Sequence, residues 1–225
     1  MSDIKLLPFG FVNEEAFMGG DLDVVNAARV SFASRSEEMG EREIGLIRFL
    51  MRGRHGTPYE NGGVFKFHVK CPIFVAREWM RHRIGSYNEW SGRYSQLEPE
   101  FFVPWEVYTQ VGKPGSYTFT ALTEQETEYA HIQMKAAYDE AWYRYLGMIE
   151  GGVAKELARA VLPVGTYTQF IWTVNARSLM NFLSLRTDET AQAAIREYAG
   201  VCEFIFKTRM PVTHEAWCEN GRVAP

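Results

Sequence analysis

Residues 123–150 constrain the fold of this chain most strongly, because they carry the pattern of one long helix. Thr123 and Glu126 have the spacing of a capping box, and Gly151-Gly152 follows where a helix would end. Apolar and aromatic side chains recur at helical spacing along one face: Met134, Tyr138, Trp142, Tyr145 and Ile149. This stripe predicts packing in the core or at a subunit interface rather than a cofactor site.

Patterns elsewhere mix strands with helices. Residues 64–70 alternate apolar and polar side chains, and residues 166–174 are rich in β-branched and aromatic residues, so both segments are predicted strands. The remaining predictions are helices at 41–52, 72–83, 152–162 and 190–207, a helix starting at Ala176 after the N-cap Asn175, a loop from residue 85 leading to a strand at 101–103, and a variable surface loop at 104–120. The mixture predicts a single α+β domain over residues 1–225, with a mainly antiparallel sheet packed by long helices. No GxGxxG motif occurs, so we expect a non-Rossmann fold.

Charge and hydropathy limit the partners of the chain. Lys and Arg number 24 and Asp and Glu 28, which gives a net charge of −4. Proteins that grip long nucleic acids usually carry a basic excess, so we expect no nucleic-acid partner and only a small bound anion. No run approaches the roughly 20 apolar residues of a membrane span, and residues 1–11 lack the pattern of a signal peptide. We therefore expect a cytoplasmic chain without a membrane partner.

The spacing of cysteines and histidines predicts no metal site. Cys71, Cys202 and Cys218 are far apart and form no CxxC pair, which argues against a disulfide framework and against a zinc–cysteine site. The five histidines form no HExxH or similar motif. His55 stands out among them because it precedes Gly56-Thr57-Pro58 in a predicted loop.

Arginines are concentrated between residues 77 and 93. Four of them, Arg77, Arg81, Arg83 and Arg93, accompany two glutamates, Glu78 and Glu89. A guanidinium is a rigid fork of donors that suits phosphate and carboxylate groups, so the cluster indicates a phosphate-bearing ligand. The alternative is a solvated surface whose charges neutralise one another.

Helical geometry predicts separate roles for two of these arginines. If the helix reaches Arg83, Arg81 and Arg83 lie about 200° apart, since each residue turns about 100°. They would then reach two ligands, or one ligand and a second subunit. Later groups carry similar chemistry: Asn175, Arg177, Asn181 and Arg186 on a predicted helix, and Arg159 within ELARAVLP. These groups could equally be a polar helix face and an arginine paired in the core.

The stretch from Arg81 to Ser91 resembles the signature of the flavin-dependent thymidylate synthases. That signature is Arg-His-Arg, seven variable residues and a serine, and here Arg81-His82-Arg83 is followed by seven residues and Ser91. The similarity extends to HGTPYE at 55–60, PIFVAREWMRHR, ELARAVLP at 156–163 and WTVNARSLMNFLSLR at 172–186. It thus covers most of residues 44–207.

The resemblance implies a methyltransferase that makes dTMP from dUMP. It implies FAD as cofactor, 5,10-methylenetetrahydrofolate as carbon donor, NADPH as reductant, and a homotetramer with active sites shared between subunits. By motif position the implied FAD contacts are Thr57, Arg81, His82, Arg83, Ile84, Glu89, Asn175, Arg177 and Asn181. The implied dUMP contacts are Glu78, Arg81, Glu89, Ser91, Gly92, Arg93, Arg159 and Arg186.

Three positions carry particular implications. Arg186 matches the arginine that stabilises negative charge on the uracil ring, which makes it the expected catalytic residue. His55 matches a position near the flavin and the folate. Glu78 stands where some family members have glutamine, and a carboxylate there would tolerate a substrate anion less well.

Two other functions compete with the enzyme. One is a non-catalytic nucleotide-binding module of the same fold, which the joint presence of Arg186, Arg159 and His55 disfavours. The other is a binder of single-stranded nucleic acid that would use aromatic residues such as Tyr87 and Trp90, which the acidic net charge disfavours.

Overall fold

The structure is a computed structural model and describes residues 5–6, 9–113 and 115–225. Part of the expectation for residues 1–11, and residue 114 of the predicted loop, therefore lie outside the described residues. The strands are β1 Lys5–Leu6, β2 Gly10–Gly19, β3 Gly63–Pro72, β4 Ser86–Glu89, β5 Tyr108–Lys113, β6 Ser116–Ala121 and β7 Tyr167–Asn175. The helices are α1 Asp21–Arg29, α2 Glu41–Arg52, α3 Thr57–Gly62, α4 Ile73–Trp79, α5 Glu124–Glu150, α6 Lys155–Ala158, α7 Ala176–Arg186, α8 Ala193–Arg209 and α9 Pro211–Glu219.

A five-stranded sheet in the order β1-β2-β3-β7-β4 forms the centre of the fold, and all neighbouring strands are antiparallel. The central strands β3 and β7 pair from Val64 opposite Asn175 to Pro72 opposite Tyr167. The predicted strands 64–70 and 166–174 are thus confirmed to within two residues. The sheet and its helices confirm the predicted α+β class with a mainly antiparallel sheet.

The core lies where helices cover this sheet with aromatic side chains. Trp79 of α4 stacks on Phe182 of α7 at 4.7 Å between ring centroids, and meets Trp172 of β7 edge-on at 5.3 Å. All three side chains are fully buried. Aromatic pairs at these distances contribute beyond the area they bury, so this contact fixes α4 against α7.

The long helix α5 confirms the prediction for residues 123–150. Both hydrogen bonds of the predicted capping box are present, between Thr123 and Glu126. Along the predicted stripe, Tyr145 is fully buried and its hydroxyl accepts from the Leu97 amide at 3.2 Å. Tyr138 stacks on Phe101 at 4.8 Å. The stripe therefore packs on the segment before the hairpin.

The predicted helix 72–83 is too long, because α4 ends at Trp79. The chain then leaves the helix through two short turns, Arg81 N to Glu78 O at 3.4 Å and His82 N to Trp79 O at 3.0 Å. The hydroxyl of Tyr87 in β4 donates to the His82 carbonyl at 2.8 Å. This bond and the pairing of β4 with β7 stabilise the turn in place of a longer α4. The local sequence pattern indicated neither interaction.

Three other predictions need correction. Residues 101–103 form no strand but a single bridge between Phe101 and Thr166, because the Phe102 carbonyl accepts from Tyr138 at 2.9 Å rather than from a neighbouring strand. The predicted loop 104–120 contains the hairpin β5–β6, whose described side chains are all exposed. The predicted helix 152–162 is the short α6 followed by a 3-10 turn, because left-handed Gly152 (φ +83°) ends α5 and an extended link follows.

The last predicted helix, 190–207, is α8 shifted by two to three residues, and the apolar residues Ile195, Tyr198 and Cys202 on its inner face are buried. The helix α9 that follows was not predicted. It begins with Pro211 in its first turn, where proline suits a helix start. None of the helices in the described part of the chain combines the length and the apolar composition needed to cross a membrane.

A buried aspartate at the start of α1 binds the first turn of α9. The carboxylate of Asp21, 9% exposed, accepts from the amides of Val212 and Thr213 at 3.0 and 2.9 Å, and from the Thr213 hydroxyl at 2.6 Å. These amides belong to the first turn of α9, whose donors have no partner within the helix.

We predict that Asp21→Ala lowers the free energy of unfolding by about 2–4 kcal/mol, because it leaves helix-terminal donors buried and unpaired. Urea unfolding followed by circular dichroism measures the change. Asp23→Ala, on the exposed side of the same turn, is the matched control and should change stability by less than about 0.5 kcal/mol. Equal losses in the two variants would contradict the capping role of Asp21.

Candidate active site

The candidate site lies between the turn after α4 and the exposed face of α7. Asn175 ends β7 and caps α7, with its side chain accepting from the Ser178 amide at 2.8 Å. This confirms the predicted N-cap. Because α7 begins at the strand end, its first and last turns take fixed positions beside the Arg81–Arg83 turn.

A cleft of about 520 Å³ opens between these two elements. Seven predicted site residues line it: Arg81, His82, Arg83, Ile84, Arg177, Asn181 and Arg186. Four lining residues were not predicted: Ser178, Leu185, Ala224 and Pro225. Ser178 and Leu185 lie three and four residues from Asn181, so helical spacing could have identified them. Nothing in the local sequence marks Ala224 or Pro225.

The shared cleft corrects the expectation that Arg81 and Arg83 point to opposite sides. That expectation required a helix reaching Arg83, but α4 ends at Trp79. Both arginines are exposed and both line the cleft. Neither has a carboxylate partner within the described part of the chain, so their charge is available to a ligand.

Arg186 is fixed by two neighbours from the α4 side. Its Nη1 forms an ion pair with Glu78, and its Nε donates to Nε2 of His82 at 3.0 Å. The side chains of Arg186 and Glu78 are 17% and 25% exposed, so the pair is shielded from bulk water. The guanidinium is therefore held in one orientation at the cleft.

The contact with Arg186 defines the state of His82. Because Nε2 accepts a hydrogen bond, the neutral ring carries its proton on Nδ1. Burial, reinforced by the positive charge of Arg186, lowers the pKa of His82 to about 4. At neutral pH His82 is therefore an uncharged acceptor that leaves the charge of Arg186 intact.

Arg177, at the other end of α7, is held by a second glutamate. Its Nη1 pairs with Glu60 of α3 at 2.5 Å, and its Nε donates to the Pro225 main-chain oxygen at 2.6 Å. A Cβ at Gly56 would collide with the Arg177 side chain, so glycine allows this close approach. Arg177 is thus a fixed side chain, unlike Arg81 and Arg83.

His55 and Thr57 lie in a different cavity, of about 1020 Å³, between α1, α2 and the start of α3. The His55 ring stacks on Phe49 at 5.8 Å between centroids. Arg29 and Arg42 also line this cavity. The two residues flank Gly56, which abuts Arg177, so this cavity adjoins the cleft. Their implied contacts with flavin and folate stay predictions.

The other implied dUMP residues also lie apart from the cleft lining. Glu89, at the end of β4, accepts from the Thr168 hydroxyl at 2.7 Å. Arg93 donates to the Tyr94 hydroxyl at 2.9 Å, and Arg159 is exposed in the 3-10 turn. The remaining members of this group are Ser91 and Gly92. The four residues of β4 carry the chain roughly 10 Å along the sheet, which separates Glu89 and residues 91–93 from Arg81–Arg83.

Comparisons with known proteins agree with the motif. A family model described as "Thymidylate synthase complementing protein" matches residues 15–212. The flavin-dependent thymidylate synthase of Pseudothermotoga lettingae is 45% identical over 214 residues, covering 95% of this chain and 92% of the relative. That of Tropheryma whipplei (strain TW08/27) is 44% identical over 219 residues, covering 91% and 90%.

Solved structures give a similar result. A UMP/dUMP methylase, PolB, from Streptomyces cacaoi bound with 5-Br dUMP superposes with a TM-score of 0.90 at 39% identity, covering 99% of this chain and all of that one. The same protein bound with 5-Br UMP gives a TM-score of 0.89 at 40% identity, covering 96% of each chain.

The depressed pKa of His82 predicts a pH dependence of stability. The unfolded imidazole titrates near 6.5 and the folded one near 4, so the folded state resists protonation. The contribution of the neutral ring is therefore complete above pH 6.5 and is lost as the pH falls towards 4. Urea unfolding at several pH values should show that the difference in the free energy of unfolding between the wild type and His82→Gln shrinks from pH 6.5 to pH 4. A constant difference between the two proteins from pH 7 to pH 4 would contradict the assignment.

Proposed function

Because the chain belongs to the flavin-dependent thymidylate synthase family, whose members are flavin enzymes, we propose that it converts dUMP to dTMP with FAD as its cofactor. 5,10-Methylenetetrahydrofolate supplies the carbon and NADPH the reducing equivalents. The observation that carries the proposal is the convergence of the Arg-His-Arg motif with Arg177, Asn181 and Arg186 on one cleft.

The residues of this cleft suit a flavin nucleotide. The guanidinium groups of Arg81 and Arg83, which have no carboxylate partner among the residues that the structure describes, can bind phosphate oxygens in a bidentate manner. Ser178 and Asn181 add neutral hydrogen-bonding groups on α7. Ile84 and Leu185, 70% and 54% exposed, offer apolar surface to an aromatic ring. A bound flavin supplies the hydride transfer, for which protein side chains have no equivalent.

We assign activation of the pyrimidine to Arg186. A guanidinium already held by Glu78 and His82 needs little reorganisation to stabilise negative charge that develops on the uracil ring. His82 accepts its Nε–H without cancelling the charge. Glu78 does cancel part of it, so an anionic substrate competes with Glu78 for Arg186.

Cys71 of β3 has no role as a nucleophile in this proposal. Cys71 is fully buried, and burial, with a smaller contribution from the nearby Glu89 carboxylate, raises the pKa of its thiol well above the ordinary value. The reactive thiolate is therefore a negligible species at neutral pH. The chain instead contributes binding, orientation and the electric field of its arginines.

The separation of the implied dUMP contacts supports a site built by more than one copy. Ser91, Arg93 and Arg159 belong to a surface apart from the Arg186 cleft, and Tyr94 beside them is 76% exposed. We propose that a second copy brings this surface to the cleft within a homotetramer. A cytoplasmic location and a single domain over residues 1–225 remain predictions of the sequence.

A spectroscopic experiment tests the proposed function. Purified protein is loaded with FAD, freed of excess, and reduced anaerobically with NADPH in the presence and absence of dUMP. We expect a flavin band that bleaches, and dTMP formation only when 5,10-methylenetetrahydrofolate is also present. UMP is assayed in parallel, because the similar solved structures are of a UMP/dUMP methylase. Failure to retain FAD would exclude the flavin enzyme.

We predict that Arg186→Ala lowers kcat for dTMP formation by about 10²–10³-fold while the flavin stays bound, because it removes a preorganised electrostatic donor. Product chromatography and flavin absorbance are measured on the same sample. Arg144→Ala removes an exposed arginine of α5 and should leave both readings unchanged. Loss of flavin from Arg186→Ala would assign this residue to cofactor binding instead.

A further inference from the structure

Residues 222–225, called here the 222–225 segment, form one wall of the cleft and lie beyond residue 212, where the match to the family model ends. Ala224 and Pro225 line the cleft beside Arg177, and Pro225 is buried. We propose that this segment is a positioning element for flavin binding, which fixes Arg177 and closes one end of the cleft. The inference rests on the proposed function, because it assigns the ligand of that cleft.

The segment is anchored at its first residue by charge. The guanidinium of Arg222 donates to both carboxylate oxygens of Glu203, at 2.9 and 2.5 Å, and to the Thr187 hydroxyl at 2.8 Å. It also lies 4.3 Å from the centroid of the buried Trp217 ring. An arginine held by a bidentate ion pair and an aromatic face has little freedom to swing away.

Glu203 is the centre of this anchor. Its carboxylate also accepts from His214 Nε2 of α9 at 3.0 Å. Burial alone would raise the pKa of the Glu203 carboxyl, but hydrogen bonds from Arg222 and His214 outweigh burial and hold the pKa below its ordinary value. Glu203, His214 and Cys218 also have the spacing of metal ligands. Arg222 already supplies the cation at this place, so the group acts as an ion-pair anchor.

The backbone turns sharply to bring the segment onto α7. Gly221 and Arg222 both have left-handed conformations, with φ of +69° and +57°. The Arg222 amide donates to the Trp217 carbonyl at 2.9 Å, which closes the end of α9. A residue with a Cβ is uncommon in this region, and it persists where surrounding contacts determine it. The side-chain anchor of Arg222 supplies those contacts.

Beyond the turn, the segment runs along α7 in the opposite direction. The Ser184 hydroxyl donates to the Arg222 carbonyl, and Arg177 Nε donates to the Pro225 oxygen. The rise from residue 177 to residue 184 along α7 is roughly 10 Å, and so is the length of the extended segment from residue 222 to residue 225. The segment therefore reaches both attachment points when it is fully extended. Asn181, which lines the cleft, lies between the two attachment points.

These contacts distinguish a wall from a plug. Arg54 Nη1 donates to the Ala224 carbonyl at 3.3 Å, and the Ala224 side chain packs against the main core. A plug would have to leave the cleft when a ligand binds, which would strip Arg54 and Arg177 of these acceptors and expose Pro225. The segment is therefore a permanent part of the cleft, and it leaves Arg177 fixed between Glu60 and Pro225.

Two variants test the role of the segment. Arg222→Asn removes the ion-pair anchor but keeps a residue that tolerates the left-handed backbone. Deletion of residues 223–225 removes the wall of the cleft and keeps the ion pair of Arg222 with Glu203. If Arg222→Asn fails to fold, this deletion still shows whether the segment contributes to FAD binding. Arg209→Asn is the matched control, because Arg209 is 38% exposed and paired with Glu14, as Arg222 is 39% exposed and paired with Glu203.

FAD is titrated into each apoprotein and followed by quenching of flavin fluorescence, and the thermal midpoint of each apoprotein is recorded. We expect both segment variants to bind FAD about tenfold more weakly than wild type, as for the loss of one charged hydrogen bond, with the control unchanged. Unchanged FAD affinity with a lowered thermal midpoint, or tighter FAD binding, would overturn this inference alone. Absence of FAD binding by the unmodified chain would overturn the proposed function and this inference with it.

Discussion

The unbroken antiparallel register between β3 and β7 is the constraint on which the rest of the structure depends. Because β3 leads directly into α4 and β7 directly into α7, the register places both helices, and the stacking of Trp79 on Phe182 locks one against the other. The cleft lies between the Arg81–Arg83 turn and the open face of α7. A slip of one residue in this register would reverse which side chains face the helices and would dismantle the cleft.

Local patterns predicted those elements whose burial repeats within a single segment. The helix α2 and the strands β3 and β7 have such patterns, and their predicted bounds agree with the structure to within two residues. The bounds of α5 agree as well, although only Tyr145 of its stripe is buried, because its capping box and the glycines that follow it mark both ends. Elements stabilised by distant partners were missed. The strand β4 exists because it pairs with β7, which lies far along the chain. The early end of α4 was missed for another reason: Tyr87, only five residues beyond His82, donates to the His82 carbonyl, and no periodic pattern marks that bond. The start of α9 did carry a local signal, because a proline such as Pro211 suits the first turn of a helix.

The candidate site likewise has a part that the local sequence revealed and a part that depends on residues far apart in the chain. Its motif residues were recognised because they are contiguous, and the cleft brings most of the implied flavin contacts together. Their partners were not recognised: Glu60 for Arg177, and the pairing of Glu78 with Arg186, join residues more than a hundred positions apart. Asn175 shows what a local pattern does reveal, since its side chain was predicted to cap α7 and does so by accepting from the Ser178 amide.

The pairing of charges separates the arginines of the cleft into two classes. Arg177 and Arg186 are each fixed by a glutamate and a second acceptor, so they retain position at the expense of part of their field. Arg81 and Arg83 have no such partners in the described parts of the chain, so no carboxylate offsets their charge. A fixed guanidinium suits the stabilisation of charge at one atom, where misplacement is costly. An exposed guanidinium without a counter-charge suits capture of a phosphate, because their attraction extends over about a Debye length and weakens with salt. One cleft thus combines long-range attraction for an anion with two guanidinium groups that are held in fixed orientations.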